Sequence, residues 1–170
     1  FHKPMEISEG HEKYTGAVMA IDPSGRGQDE TGYAVVKILA SQLFVTEAGG
    51  FKGGYDKTTL IKLAKIAKEN KVNRLIIEAN FGDGMFNQLL KPVLAEVGYR
   101  VTVEEVRHNK QKELRIIDTL EPLMNSHRLI LDPRVIIHDY DSIRNNGGST
   151  ADNLSYLLLY QLSRLTRDKG

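Results

Sequence analysis

Residues 17–22 (AVMAID) form a short apolar run that ends in an acid, and the turn-forming segment 23–30 (PSGRGQDE) follows it directly. Residues 74–78 (RLIIE) repeat this form, and they also run into a glycine-rich segment. Short apolar runs bounded by turn residues predict buried strands. In an open α/β sheet, ligands bind outside the carboxyl ends of the strands. If these two strands are neighbours, we expect Asp22 and Glu78 to project into one crevice.

Two ionised carboxylates held a few ångströms apart repel each other unless a cation lies between them. Oxygen ligands of this kind suit Mg²⁺ or Mn²⁺. Two such ions about 3.5–4 Å apart would activate a water and stabilise the leaving oxygen in phosphodiester cleavage. Asp29 lies at the start of the next predicted strand, and a hairpin would bring it back towards Asp22 as a second-metal ligand or an outer group.

Other interpretations of these acids stay open from the residues alone. An acid at a strand end can simply order a turn or cap a helix, and the adjacent glycines can let backbone N–H groups cradle a phosphate. Asp83 and Asp152 are interpreted as helix-capping residues. Lys110, Lys112 and Arg115 can share one side of a helix and contact a DNA backbone, although such faces are commonly only solvated.

The order of predicted elements is β-β-β-α-β-α-β-α-β-α, which predicts an α/β fold with a mixed sheet and helices on both faces. Glycines 49, 50, 53 and 54 are expected to close the third strand, and Pro92 to interrupt or restart a helix. The strands are predicted over 17–22, 31–40, 42–48, 74–78, 99–106 and 129–131. The helices are predicted from a cap at Asp56 or Thr58 to residue 70 and over 84–97, 110–125, 135–143 and 151–167.

The composition bounds the function only loosely. Lys and Arg number 23 against 22 Asp and Glu, so the net charge neither favours nor opposes nucleic acid. The absence of cysteine excludes disulfides and thiolate metal sites. No apolar run approaches the roughly 20 residues that cross a bilayer, and no leader sequence is recognisable, so no membrane or secreted role is predicted.

Three segments together resemble the nuclease domain of tailed-bacteriophage large terminases, particularly those of podophages. They are residues 21–32 (IDPSGRGQDETG), 76–86 (IIEANFGDGMF) and 160–170 (YQLSRLTRDKG). The resemblance implies a ribonuclease-H-like fold and a metal-dependent endonuclease that uses two Mg²⁺ or Mn²⁺ ions to cut concatemeric double-stranded viral DNA during genome packaging. It implies Asp22 as the first catalytic acid, Glu78 as the second, and Asp29 as an additional acid near the metals.

The resemblance also implies partners and a domain organisation. An ATPase motor domain would precede this domain in the same polypeptide, the small terminase and portal proteins would be partners, and the protein would act in the host cytoplasm but be absent from the mature virion. Residues 1–15 are predicted to be a linker and 16–170 the nuclease domain. The third acid of the family belongs to a motif close to His-Asp-Asp-x-x-Asp-Ala-Leu, which follows a Thr-Arg-Asp-Lys-Gly-like segment. We expect the domain to be truncated at Gly170, before that motif, and Asp152 lies upstream of it.

Two alternatives use the same residues differently. An actin-like ATPase or sugar kinase also binds phosphate at an Asp-x-Gly turn, but it needs a second glycine-rich phosphate loop where Glu78 stands. A non-catalytic DNA-docking module is compatible with a chain that lacks the third acid.

Overall fold

The computed structural model describes residues 13–24, 30–79, 84–108, 111–145 and 157–165. The strands are β1 (Gly16–Asp22), β2 (Glu30–Leu39), β3 (Gln42–Lys52), β4 (Arg74–Glu78), β5 (Thr102–Val106) and β6 (Leu129–Leu131). The helices in the described residues are α1 (Lys57–Glu69), α2 (Met85–Glu96), α3 (Lys112–Asn125), α4 (Pro133–Asn145) and α5 (Leu158–Arg164).

The strands form one mixed sheet in the order β5-β4-β1-β2-β3-β6. The first three strands are an antiparallel meander, whereas β4 and β5 run parallel to β1 and β6 runs parallel to β3. Parallel neighbours need crossover connections, and α1, α2 and α3 lie in the connections that lead to β4, β5 and β6. The predicted α/β fold with a mixed sheet is confirmed.

The apolar core lies between one face of the sheet and helices α1 and α2. Alternate residues of β1 are buried here because successive side chains of a strand point to opposite faces. The helices contribute apolar residues at three- and four-residue spacing, the pattern of a helix with one buried side. The cluster consists of Met19, Ile21, Val35, Leu60, Leu63, Ala64, Ala67, Val72, Leu75, Ile77, Phe86, Leu90, Val93 and Leu94.

The opposite face of the sheet carries the two predicted catalytic acids. Ile21 and Ile77 point into the core, so the next residues, Asp22 and Glu78, point away from it. Helix α3 reaches this second face, where two of its side chains contact the acids. Helices therefore lie on both faces of the sheet, as predicted.

Strand β3 is longer than predicted, since it continues to Lys52. The expectation that Gly49 and Gly50 close the strand is wrong, because Gly49 pairs with Tyr33 inside the sheet. A Cβ atom at Gly49 would lie 3.1 Å from the Tyr33 ring, so the missing side chain makes room for that ring. The chain leaves the strand at Gly53, whose φ of 121° favours glycine.

Helix α1 begins as the sequence indicates, and α2 does not break as expected. The carboxylate of Asp56 accepts hydrogen bonds from the backbone N–H of Thr59 at 3.0 Å and from its hydroxyl at 2.8 Å, so Asp56 rather than Thr58 is the N-cap. Pro92 lies inside a continuous α2. Apolar residues on both sides of the proline belong to the core cluster, and their packing holds the two halves in one helix.

Helix α5 covers only part of the predicted helix over 151–167. Leu157 and Leu165 both have extended backbone, so the helix begins and ends inside the predicted range, while residues 151–156 lie outside the described part. Asp139 on α4 accepts hydrogen bonds from the first two backbone N–H groups of α5 at 2.8 and 3.0 Å. Such a cap from another helix gives no local sequence signal. No helix in the described ranges is long and apolar enough to span a membrane.

Candidate active site

Strand register places the two predicted catalytic acids side by side. β1 and β4 are adjacent and parallel, with Ile21 opposite Ile77. Asp22 and Glu78 are the next residue on each strand, and each is the last residue of its strand. Parallel strands end at the same edge of a sheet, and side-chain alternation gives both acids the same face. This register brings the two predicted catalytic acids to one edge and one face of the sheet.

Helix α3 supplies one cation to each acid. Nη2 of Arg115 donates to Oε1 of Glu78 at 2.8 Å, and Nζ of Lys112 donates to Oδ2 of Asp22. The Arg115 and Glu78 side chains are each 21% exposed, whereas Lys112 and Asp22 are 54% and 38% exposed. Solvent screens the Lys112 pair more, so the Arg115 pair is the stronger of the two.

A buried hydroxyl network fixes the chain immediately after Asp22. Oγ1 of Thr31, which is fully buried, donates to the carbonyl of Gly53 at 3.0 Å and accepts from the backbone N–H of Ser24 at 3.0 Å. The Thr31 hydrogen is used on Gly53, so the Ser24 hydroxyl donates to Thr31 across 3.2 Å. The start of β2 thus holds the exit of β1 and, through Gly53, the end of β3.

The face of the sheet that carries Asp22 is open beside it, at Gly32 on the neighbouring strand β2, among the described residues. Gly32 on β2 pairs with Asp22, and no atom of the described residues lies within 4 Å of the position that a Gly32 Cβ would occupy. Gly50 on β3 pairs in turn with Gly32. The carboxylate of Glu30 lies over Gly50, since a Cβ there would be 2.7 Å from its Oε2. Among the described residues, there is therefore space beside Asp22 at Gly32 for at least a side chain.

The remaining predicted site residues lie outside the described residues. This applies to Asp29 and Lys110, and also to the two predicted capping acids, Asp83 and Asp152. The structure brings together Asp22, Glu78, Lys112 and Arg115 from the sequence predictions. It does not test the assignment of Asp29.

The two carboxylates at this edge of the sheet are chemically suitable ligands for a hard divalent cation. Both acids present carboxylate oxygens, which Mg²⁺ and Mn²⁺ prefer over nitrogen or sulfur. Within the described ranges, however, no group of three or more His, Cys, Asp or Glu side chains is placed to hold a metal ion. The described residues therefore contribute two carboxylates to any such site.

Comparison with known proteins identifies the family of this chain. Residues 21–129 match the family described as Terminase Bacteriophage T7, Ribonuclease H-like domain. The chain belongs to this family. The matched range includes both acids and both α3 cations. The predicted terminase resemblance is confirmed, and neither the actin-like ATPase or kinase nor the non-catalytic docking module gains support.

Individual relatives agree with the family. The large terminase subunit of Enterobacteria phage T3 is 45% identical over 169 residues, which cover 99% of this chain and 28% of that protein. The chain thus spans under a third of the length of this relative.

Two solved structures share the fold. The human cytomegalovirus terminase nuclease domain, soaked with manganese and bound to an inhibitor, has a TM-score of 0.52 at 13% identity, covering 72% of this chain and 64% of that one. A mutant of the large terminase subunit of bacteriophage Sf6, solved with calcium, has a TM-score of 0.52 at 14% identity, covering 74% and 67%. The predicted ribonuclease-H-like fold is confirmed.

Sequence reasoning missed three features of the site. Lys112 and Arg115 were predicted to face DNA, and the structure gives each of them a carboxylate partner. Thr31 was interpreted only as the first residue of a strand. A hydroxyl residue at a strand start after a glycine-rich turn is a weak signal for such a network, and no local pattern indicates a partner on a distant helix.

Proposed function

We propose that this domain is a divalent-metal-dependent endonuclease that cuts concatemeric double-stranded viral DNA during genome packaging. The observation that carries this proposal is the in-register placement of Asp22 and Glu78 on adjacent parallel strands, in a chain of the terminase ribonuclease-H-like family. Both acids lie on the face of the sheet that α3 reaches, next to the open surface above Gly32. This placement lets a phosphodiester approach both carboxylates at once.

Asp22 and Glu78 would hold two Mg²⁺ or Mn²⁺ ions, with Asp29 as a further ligand or outer group. When bound, such ions would activate the attacking water and stabilise the leaving oxygen. The structures of relatives solved with manganese or calcium are consistent with this dependence on a divalent cation. A third acid from the motif expected after Gly170 would complete the set.

The protein's own residues position the Asp22 carboxylate and supply positive charge for the DNA backbone. The Thr31 network holds the backbone of Ser24, two residues after Asp22, and so restrains the chain that carries that carboxylate. Lys110, Lys112 and Arg115 would place positive charge along the DNA backbone. We expect little base specificity, because phosphate contacts position a protein on DNA but carry no sequence information directly.

The wider assignment also follows from the family. We propose that an ATPase motor domain precedes this domain in the same polypeptide, with residues 1–15 as the linker. The small terminase and the portal would be its packaging partners. The protein would act in the host cytoplasm as part of the packaging motor and would be absent from the mature virion.

A plasmid-nicking assay tests the proposed activity. Supercoiled plasmid is incubated with Mn²⁺, Mg²⁺ or a chelator, using this chain and a longer form that carries the expected acidic motif. We expect metal-dependent conversion to nicked and linear DNA, stronger with the longer form. Asp22→Asn and Glu78→Gln should each lower the rate about 100-fold or more, because metal-assisted stabilisation amounts to several kcal/mol.

The matched control is Asp141→Asn, which removes one exposed acid from α4. Its cleavage rate should equal that of the unmodified chain. Cleavage that survives the combined substitution of Asp22 and Glu78 would contradict the site assignment. DNA binding without cleavage in both lengths of protein would favour a docking module instead.

A further inference from the structure

The spacing of the two α3 cations matches the spacing of the two acids. Residues three apart on a helix have Cβ atoms about 5–6 Å apart, as Lys112 and Arg115 do by position. Adjacent strands lie about 4.8 Å apart, which sets the separation of Asp22 and Glu78. In agreement with this match, Lys112 contacts Asp22 and Arg115 contacts Glu78.

Helix α3 rests lightly on the sheet. None of its residues is buried, although all of them belong to the described part of the chain. Lys112 and Arg115 contact the acids from its first turns, and the backbone N–H of Arg115 donates to the Gln111 carbonyl at 3.1 Å. The start of α3 is thus internally ordered, and its contacts with the two acids are ion pairs.

A cation beside a carboxylate opposes the binding of a divalent ion to that carboxylate. The repulsion between a single and a double charge a few ångströms apart is large at the dielectric of a partly buried site. Fixing the rotamer of one acidic side chain in advance is a smaller effect. We therefore expect the α3 cations to weaken metal binding rather than assist it.

We propose that Lys112 and Arg115 couple DNA binding to metal binding by exchanging between the carboxylates and the DNA phosphates. This proposal rests on the proposed function. Without DNA, the two cations neutralise Asp22 and Glu78, so a divalent ion binds weakly. DNA phosphates draw the cations off the acids and restore the negative charge that a divalent ion needs.

The coupling is reciprocal, as for any two linked binding sites. Metal binding releases Lys112 and Arg115 for DNA to the same extent that DNA releases the acids for metal. The two cations differ in how readily they leave their carboxylates. Lys112 is the more exposed and exchanges first, whereas Arg115 is shielded on Glu78 and opposes the metal more strongly.

Titration of Mn²⁺ by calorimetry, on this chain without DNA, tests the metal side. Lys112→Gln and Arg115→Gln should bind Mn²⁺ more tightly than the unmodified chain, with about a fivefold gain or more for Arg115. Arg115→Lys keeps the charge and should bind Mn²⁺ nearly as the unmodified chain does. Arg74→Gln is the matched control, because it removes a cation from an exposed pair with Glu104 at the other end of β4. Its Mn²⁺ affinity should be unchanged.

Fluorescence anisotropy with a short DNA duplex, in a chelator and without any divalent ion, tests the DNA side. Asp22→Asn releases Lys112 and should tighten duplex binding about fivefold. Glu104→Gln, which removes an equal charge from the same face, should change it less. This measurement still decides the proposal if the Gln variants of α3 fail to fold.

The outcomes separate the two proposals. If Asp22→Asn abolishes Mn²⁺ binding while the Gln variants bind Mn²⁺ no more tightly than the unmodified chain, the exchange is wrong and the metal site stands. If Asp22→Asn leaves Mn²⁺ binding unchanged, the proposed metal site itself is wrong. If Asp22→Asn tightens duplex binding no more than Glu104→Gln does, the DNA side of the coupling is wrong.

Discussion

Asp22 and Glu78 occupy equivalent positions on two adjacent parallel strands, one residue beyond the paired Ile21 and Ile77. The meander ends two strands away from β1, and the connection that contains α1 brings the chain back so that β4 pairs with β1 rather than with β3. Residues far apart in the sequence therefore meet at one edge. The face they share is opposite the main core, where the sheet is more accessible to a large substrate.

Replacing Thr31 with valine should destabilise the fold and disturb the site. Valine has the same shape but leaves the Ser24 N–H and the Gly53 carbonyl without their hydroxyl partner. Leaving buried polar groups unpaired costs about 1–3 kcal/mol. Urea denaturation should show a loss of this size, and DNA cleavage should fall at temperatures where the variant is still folded.

Thr46→Val is the control for that experiment. The Thr46 hydroxyl is also buried, but within the described residues it has no hydrogen-bond partner. Removing it should leave the free energy of unfolding within about 0.5 kcal/mol of the unmodified value, or raise it. Equal losses for the two variants would contradict the role assigned to the Thr31 network.

Filling the space beside Asp22 should affect activity more than stability. Gly32→Leu places a side chain where no atom from the described part of the chain lies within 4 Å of the Cβ position, and Gly32 does not have a positive φ. We expect the unfolding free energy to change by less than about 1 kcal/mol. Cleavage should fall because the leucine occupies the surface on which we place the DNA backbone. Gly32→Ala should also lower the cleavage rate, but by a smaller factor. Full cleavage activity in Gly32→Leu would show that the DNA backbone does not lie on this surface.

The Asp56 cap should make part of the stability depend on pH. Hydrogen bonds from the backbone N–H and then the hydroxyl of Thr59 hold the pKa of the Asp56 carboxyl below its usual value. A lowered folded-state pKa gives stability that is present above the unfolded pKa of about 3.9 and is lost as the pH falls through the folded value.

Asp56→Ala should therefore destabilise the domain by about 1 kcal/mol at pH 7, the usual effect of losing an N-cap. The difference from the unmodified chain should shrink below about pH 4 as the carboxyl is protonated. Urea denaturation of both proteins at neutral and acidic pH measures this. A difference that grows at acidic pH would contradict the assignment.

The strand and helix pattern was largely readable from the sequence because hydrophobic periodicity is local. The apolar runs that end at residues 22 and 78 predicted the adjacent strands β1 and β4 and the two acids of the proposed site. The predicted interruption of the helix at Pro92 was wrong, because the packing of α2 against the core outweighed the helix-breaking preference of proline. The prediction that Gly49 closes its strand was wrong, because the glycine is needed there to make room for the Tyr33 ring of the neighbouring strand.

The charge partners of the acids were not readable in the same way. Lys112 and Arg115 were recognisable as a basic side of a helix, but their pairing depends on where α3 crosses the sheet. That position follows from the connection between β5 and β6 and from the β3–β6 pairing, which are properties of the whole topology. The Thr31 network was also not predictable from local sequence, because it joins residues at the ends of three strands.

The central claim is that Asp22 and Glu78 hold the divalent ions of a nuclease. Crystals of this domain grown with Mn²⁺ test it most directly, through an anomalous difference map collected at the manganese edge. The account predicts manganese bound to carboxylate oxygens of both Asp22 and Glu78, at about 2.0–2.2 Å. The Mn²⁺ concentration is set above the one that saturates binding by this domain without DNA, and manganese bound only at other residues would then contradict the claim.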